Sequence, residues 1–271
     1  WIAEAAGACG LGRSRWEGAV WATRDRSLLP LPQDRLVSRV YQFGAGDVFT
    51  EGYPDALRRT TGARLLTRAT VVGMVHEGGR VREVHVVTSD GARVRIAARR
   101  VVLAGGAIEN ARLLLLAGLG GSWTGRGFME HPRDYTLSLR PASLARYREA
   151  RFYDQHDVDG AVVAGRLAVA PDARAAHGLP RASITLLAAP RPLPRLVRAW
   201  RRVTGQPVAG GGHGWSAHPD PASAFDGFRL VVNLEQRPHP ENRVTLADTT
   251  DPLGVRRARL YWRWRAEEQA G

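Results

Sequence analysis

The stretch Arg99–Gly118 (RRVVLAGGAIENARLLLLAG) constrains this chain more than any other. Arg99 and Arg100 mark a solvated entry, and Val101, Val102, Leu103 and Ala104 form a short apolar run of the kind found in a strand covered on both faces. Gly105 and Gly106 permit a sharp turn and a close backbone approach. Ile108 and Leu113–Leu116 supply the buried face of a following helix, which Gly118 can end. A strand, a glycine turn and a helix N-terminus together present free N–H groups and the positive end of a helix dipole, the usual seat of a nucleotide in α/β proteins. Turn chemistry alone leaves open whether Gly-Gly serves a ligand or only lets strand and helix pack.

The preceding residues add a small antiparallel meander. Ala69–His76 is strand-like, Glu77–Arg80 is turn chemistry, and Val81–Thr88 alternates as a half-buried strand does. Ser89-Asp90-Gly91 signals a hairpin, and Ala92–Ile96 forms the return.

Four separated blocks resemble the glucose-methanol-choline (GMC) oxidoreductases, which use FAD. The first is Phe43–Phe49 with Leu65–Val72, and the second is Val101–Leu116, close to the family's VVLAAGAIE-x-x-RLLL. The third is Gly125–Pro132 (GRGFMEHP), and the fourth is Glu235–Gly254, similar to EQ-x-P-x-P-x-(S/N)RV-x-L followed by D-x-x-G. The resemblance implies an α/β (α+β) fold: part of a two-dinucleotide-fold FAD-binding domain over residues 1–130, then an antiparallel-sheet substrate domain over 131–271. It also implies FAD-dependent oxidation of an alcohol or sugar hydroxyl by hydride transfer, with a small-molecule substrate and an unspecified electron acceptor. By position, Val71 (Val72 if the register shifts by one) matches the valine whose backbone meets the adenine. Ala104, Gly105 and Gly106 match the turn packed on FAD, with Gly105 where the family usually has Ala. Asn110 and Arg112 are expected to brace that turn, and His131 to neighbour the cofactor without acting as the base. Arg243 is assigned no catalytic role.

Two family elements are not found in the sequence. A Gly-x-Gly-x-x-Gly loop for the pyrophosphate is missing: Gly44-Ala45-Gly46 is a decoy, since Phe49 stands where the third glycine belongs. The segment bearing the catalytic His is expected downstream of Gly271, so no catalytic residue is assigned within the chain. The chain therefore reads as an internal piece of a longer enzyme, inactive and a poor FAD binder by itself. Two alternatives stand beside it: a non-catalytic remnant or binding module on the same scaffold, and an Arg-rich polyanion-binding protein.

From His131 onward the texture is one of short strands at Tyr135–Leu139, Ala161–Ala170, Ala182–Ala188, Phe228–Glu235, Arg243–Leu246 and Arg257–Trp264. Between them Leu193, Leu196, Val197, Trp200 and Val203 share one helical face, with Arg195, Arg198, Arg201 and Arg202 largely opposite. The expected reading is an amphipathic helix packed on the sheet, and the other is a membrane-surface helix. Gly205–Gly214 reads as a loop over the pocket, and Ala266–Ala270 as the start of a polar helix.

Composition narrows the remaining classes. All 39 cationic Lys/Arg positions are arginine and the net charge is +13, yet the arginines are scattered rather than set beside aromatic stacking platforms, which argues against nucleic acid. No apolar run is long enough to span a bilayer, because Glu109 and Arg112 interrupt the best one. His213 and His218 lack Cys or carboxylate companions, so no metal site is expected. The single Cys9 precludes an internal disulfide, and the compartment is left open.

Overall fold

The computed structural model describes residues 1–271 except 12–14, 16, 45, 193, 205–213 and 266–271. The loop expected over the pocket (its residues 205–213) and the polar helix from Ala266 thus lie outside the described residues. The strands are β1 (Leu36–Phe43), β2 (Ala69–Glu77), β3 (Arg80–Thr88), β4 (Arg93–Ala97), β5 (Arg133–Asp134), β6 (Ser138–Leu139), β7 (Gln155–Val158), β8 (Ala161–Val169), β9 (Ala182–Pro190), β10 (Phe225–Leu234), β11 (Arg243–Thr250) and β12 (Arg256–Tyr261). The helices are α1 (Ile2–Ala8), α2 (Tyr53–Arg59), α3 (Ala107–Leu116), α4 (Leu144–Glu149), α5 (Pro171–His177), α6 (Arg195–Val203) and α7 (Pro221–Ala224). The mixed helix-and-sheet class and the antiparallel sheet are as the sequence implied. The chain divides into two compact units, one of Trp1–Arg59 with His131–Glu235 and one of Thr60–Glu130 with Gln236–Gly271. Three crossings, at 59/60, 130/131 and 235/236, therefore take the place of a single division at residue 130.

The first unit is built on a seven-stranded antiparallel sheet in the order β1-β8-β9-β10-β5, with β6 also on β10 and β7 also on β8. The register pairs Arg39 with Arg166, Ala168 with Ser183, and Ser183 with Asn233, so these residues share one face. The opposite face carries Val40, Val163, Leu186 and Phe228, which close a core with Phe152, Tyr153 and Trp215. Strand β1 is an element that sequence reading passed over. Its polar Ser38, Arg39 and Gln42 blunt the apolar signal, and its eight-pair partner β8 lies more than a hundred residues on.

Of the strand expected over Tyr135–Leu139 only β6 forms, with β5 lying just before it. The Asp134 carboxylate accepts the Thr136 N–H at 2.7 Å, and such a local bond competes with the ladder. The apolar stripe of α6 is also not covered as expected: Leu196, Trp200 and Val203 are exposed. Periodicity shows that a helix has an apolar face but not that the fold supplies a surface for it.

The second unit holds the meander β2-β3-β4, the hairpin β11-β12 and α3. Helix α3 ends as its sequence suggested. Gly118 adopts φ +63°, and Leu119 N–H reaches back to the Leu114 carbonyl at 2.9 Å, closing the last turn. Val101–Ala104 differs from expectation, forming no ladder with any described segment, and Val102 is 86% exposed. An apolar run favours burial, but a strand exists only where a neighbouring edge takes its backbone hydrogen bonds.

Candidate functional site

The turn Ala104–Gly105–Gly106 is exposed and feeds directly into α3. Asn110, one turn into the helix, folds its side chain back on it. Its Oδ1 accepts the Gly105 N–H at 2.9 Å and its Nδ2 donates to the Leu103 carbonyl at 3.1 Å. That bracing is the part expected of Asn110. Gly106 sits at the N-cap with φ +87° and no side chain caps the helix there, leaving the first-turn N–H groups pointing outward. A Cβ built on Gly106 would meet nothing within 4 Å, so the turn faces open space. Val71 lies on β2, the outer strand of the meander, beside a bulge between Val71 and Gly73 that leaves Val72 out of register. An edge strand keeps one row of backbone donors and acceptors free for a ligand. These are the features a flavin nucleotide requires of a protein backbone, so the residues fit that group.

Arg112 does not brace the turn. It ties α3 to the second hairpin, donating to Asp251 Oδ2 at 2.7 Å and to the Arg256 carbonyl at 2.7 Å. Asp251 in turn accepts N–H bonds from Leu253 at 2.9 Å and Val255 at 3.0 Å. The D-x-x-G element is thus a side-chain-capped turn clamped to α3. The Arg112 hydrogen bond, then those backbone donors, hold the Asp251 carboxyl below the usual carboxylate range.

The third and fourth family-like blocks meet in the same unit. Gly125 has φ +77°, its carbonyl accepts Val244 N–H at 2.7 Å, and a Cβ there would stand 2.5 Å from the Val244 carbonyl oxygen. Positive φ and close approach together demand glycine. Phe128 N–H then bonds the Asn242 carbonyl at 2.8 Å, and Glu130 N–H bonds Gln236 Oε1 at 3.2 Å. Gln236 and Asn242 are buried and converge on one residue, Arg263. Both amides donate to the Arg263 carbonyl, at 2.9 and 3.1 Å, while Asn242 Oδ1 accepts Arg263 N–H at 2.9 Å. Trp262 Nε1 donates to Gln236 Oε1 at 2.7 Å. Gln236 and Asn242 of the EQ-x-P-x-P-x-NRV segment are therefore structural anchors.

Residues 49–133 match the family model described as GMC oxidoreductase. Through this segment the chain is similar to the GMC oxidoreductases. Uncharacterised GMC-type oxidoreductases from two strains of Mycobacterium tuberculosis are each 37% identical to it over 84 residues. That stretch spans 31% of this chain and 12% of the length of those relatives. Pyridoxine 4-oxidase from Mesorbium loti is similar at 16% identity with a TM-score of 0.35, over 77% of this chain and 38% of that one, a likeness too remote to bear on fold or activity.

Val71, Ala104, Gly105, Gly106 and Asn110 all lie in the second unit, and Asn110 braces the turn formed by Ala104, Gly105 and Gly106. His131 belongs to the first unit. There it lines a cleft of about 570 Å³ with Arg39, Tyr41, Arg174, Arg181, Ser183 and Asn233. Arg39, Tyr41, Ser183 and Asn233 all project from the sheet face opposite the core, as alternation along the paired strands requires. Glu235 is the carboxylate of the cleft; it accepts the Arg181 N–H at 3.3 Å and lies 3.9 Å from the Arg181 guanidinium. Arg174 Nε is buried without a hydrogen-bond partner. Three arginines against one carboxylate make the cleft electropositive. Sequence reading assigned none of these sheet residues. The period-2 alternation was legible, but which strands pair, and so which residues converge, was not. No group of three or more metal-ligating side chains occurs among the described residues.

Proposed function

We propose that this chain is part of an FAD-dependent oxidoreductase that oxidises an alcohol or sugar hydroxyl. On this reading the second unit contributes part of the cofactor-binding domain and the first unit's sheet contributes the substrate surface. Bound FAD would supply the acceptor for a hydride, chemistry that no side chain can perform. The chain's own residues would do the holding. Gly105, Gly106 and the uncapped first turn of α3 would present N–H groups to the cofactor, with Asn110 keeping the turn in shape, and the Val71 edge backbone would meet the adenine. On the sheet, Tyr41, Ser183 and Asn233 offer donors and acceptors suited to orienting a hydroxylated substrate. The catalytic base is placed downstream of Gly271, as the family pattern implies.

The observation that carries the proposal is the Asn110-braced, open glycine turn inside the segment that matches the family. The test is to purify the protein with its encoded flanking sequence and record flavin absorbance, together with two variants, Gly106→Val and Asn110→Ala. Co-purifying flavin that is lost from both variants, with circular dichroism unchanged, is the expected result. A folded protein that neither carries nor takes up added FAD would refute the reading and favour a non-catalytic scaffold.

A further inference from the structure

Arg166 on β8 is a buried cation. It is 5% exposed, its Nε has no hydrogen-bond partner, and its Nη1 donates to the adjacent Gly165 carbonyl at 2.7 Å. Its guanidinium packs 5.2 Å from the centre of the Tyr41 ring, and the sheet register sets it directly opposite Arg39. Like charges opposite one another on paired strands repel, and a buried charge calls for an opposite one. Yet among the described residues none of Arg39, Arg166 and Arg174 takes part in an ion pair. Burial, ahead of all other influences, lowers the pKa of Arg166, and Tyr41 and Asp154 offset this only in part. The Asp154 carboxylate is itself occupied by the N–H groups of Gln155, Gly214 and Ser216.

This is the sheet face that forms the cleft of the first unit. Tyr41, which packs against Arg166, lines it together with Arg39 and Arg174, and the Arg174 Nε is also buried and unpartnered. Arg181 has Glu235 beside it; the other two arginines of the cleft have no carboxylate. A guanidinium fork engages two oxygens of a carboxylate or a phosphate at once, and partial burial strengthens that attraction. We propose that the cleft binds a polyhydroxylated organic anion. Its carboxylate or phosphate is held by Arg39 and Arg174 in the field of the buried Arg166, and its hydroxyls by Tyr41, Ser183 and Asn233. The volume of about 570 Å³ falls within the range of small-molecule sites. As the substrate class of the oxidation this rests on the function proposed above; as a binding site it rests on the first unit alone.

The test is titration calorimetry of the intact protein, with its encoded flanking sequence, against D-glucose, D-glucuronate and D-glucose 6-phosphate. At least one anion should bind about tenfold or more tightly than glucose, and that preference should shrink as salt rises. Glucuronate ahead of the phosphate assigns a carboxylate ligand, and the reverse order a phosphate. In the double variant Arg39→Gln, Arg174→Gln, the anion and glucose should bind alike, with circular dichroism unchanged. Arg166→Met should lower the preference several-fold without lowering the thermal midpoint, because it removes a buried unpaired charge. If the double variant misfolds, Arg166→Met gives the comparison. The proposal is overturned if neither anion binds more tightly than glucose, the result expected if a carboxylate from elsewhere in the protein meets these arginines. It is also overturned if the double variant keeps the preference, since general positive charge would then account for it. Flavin absorbance of the same samples distinguishes two further outcomes. Flavin-loaded protein indifferent to the anions refutes the anion site alone. Flavin-free protein with an arginine-dependent preference refutes the flavoenzyme and supports the anion site.

Discussion

Replacing Asn242 by alanine should cost the second unit about 3–5 kcal/mol. The Asn242 side chain is 1% exposed and makes two bonds to one residue, accepting from Arg263 N–H at 2.9 Å and donating to its carbonyl at 3.1 Å. Each bond contributes about 1 kcal/mol net, and the N–H left buried without an acceptor adds about 1–3 kcal/mol. The Arg263 carbonyl fares better, because Gln236 Nε2 still donates to it at 2.9 Å. That shared acceptor makes the two amides non-additive, so Asn242→Ala with Gln236→Ala should cost more than the sum of the single changes. Equilibrium denaturation in urea gives the comparison, read as a change in midpoint at constant slope. A loss under about 0.5 kcal/mol for Asn242→Ala would mean that water replaces the amide, and the anchoring role would be wrong. Additive single variants would show that the two side chains do not share their acceptor in solution.

Other perturbations separate backbone, electrostatic and turn effects. Gly105→Ala should be tolerated or stabilise by about 0.4–1 kcal/mol, since its Cβ would meet only ordinary contacts at 3.4 Å or more. Gly106→Ala should cost about 1–2 kcal/mol because φ is +87° there; thermal unfolding of the pair would be refuted by the opposite order. Burial, ahead of all other influences, holds the His156 imidazole below its ordinary value, so the folded protein keeps it neutral. Its stabilising contribution is then complete above about pH 6.5 and declines as pH falls below that value, by at most about 1.4 kcal/mol per pH unit. His156→Phe should flatten stability between about pH 6.5 and 5, and an unchanged profile would exclude this residue as the source. Asp251→Asn should weaken the tie between α3 and the β11–β12 hairpin, seen as faster amide exchange at Leu253 and Val255; unchanged exchange would show that the carboxylate's charge is not needed there.

Much was legible in the sequence because it rests on short-range physics. Turn residues at Glu77–Arg80 and Ser89–Gly91 set the meander, and the 3.6-residue period with Gly118 at its end set α3. The family-like blocks could be read as strings, although their meaning could not. Only the folded unit shows that Arg112 grips Asp251, or that Gln236 and Asn242 grip Arg263 across more than twenty residues. The same limit applies to what is covered. Val101–Ala104 and the α6 stripe both have the composition of buried elements, yet Val102 and Val203 are exposed. Strand β1 makes the converse case, a mixed-polarity segment drawn into a sheet by a distant partner. Local sequence determined where the backbone turns and which face of each element is apolar. Tertiary structure alone decided which faces found partners, because burial and ladder hydrogen bonds depend on neighbours that lie far away along the chain.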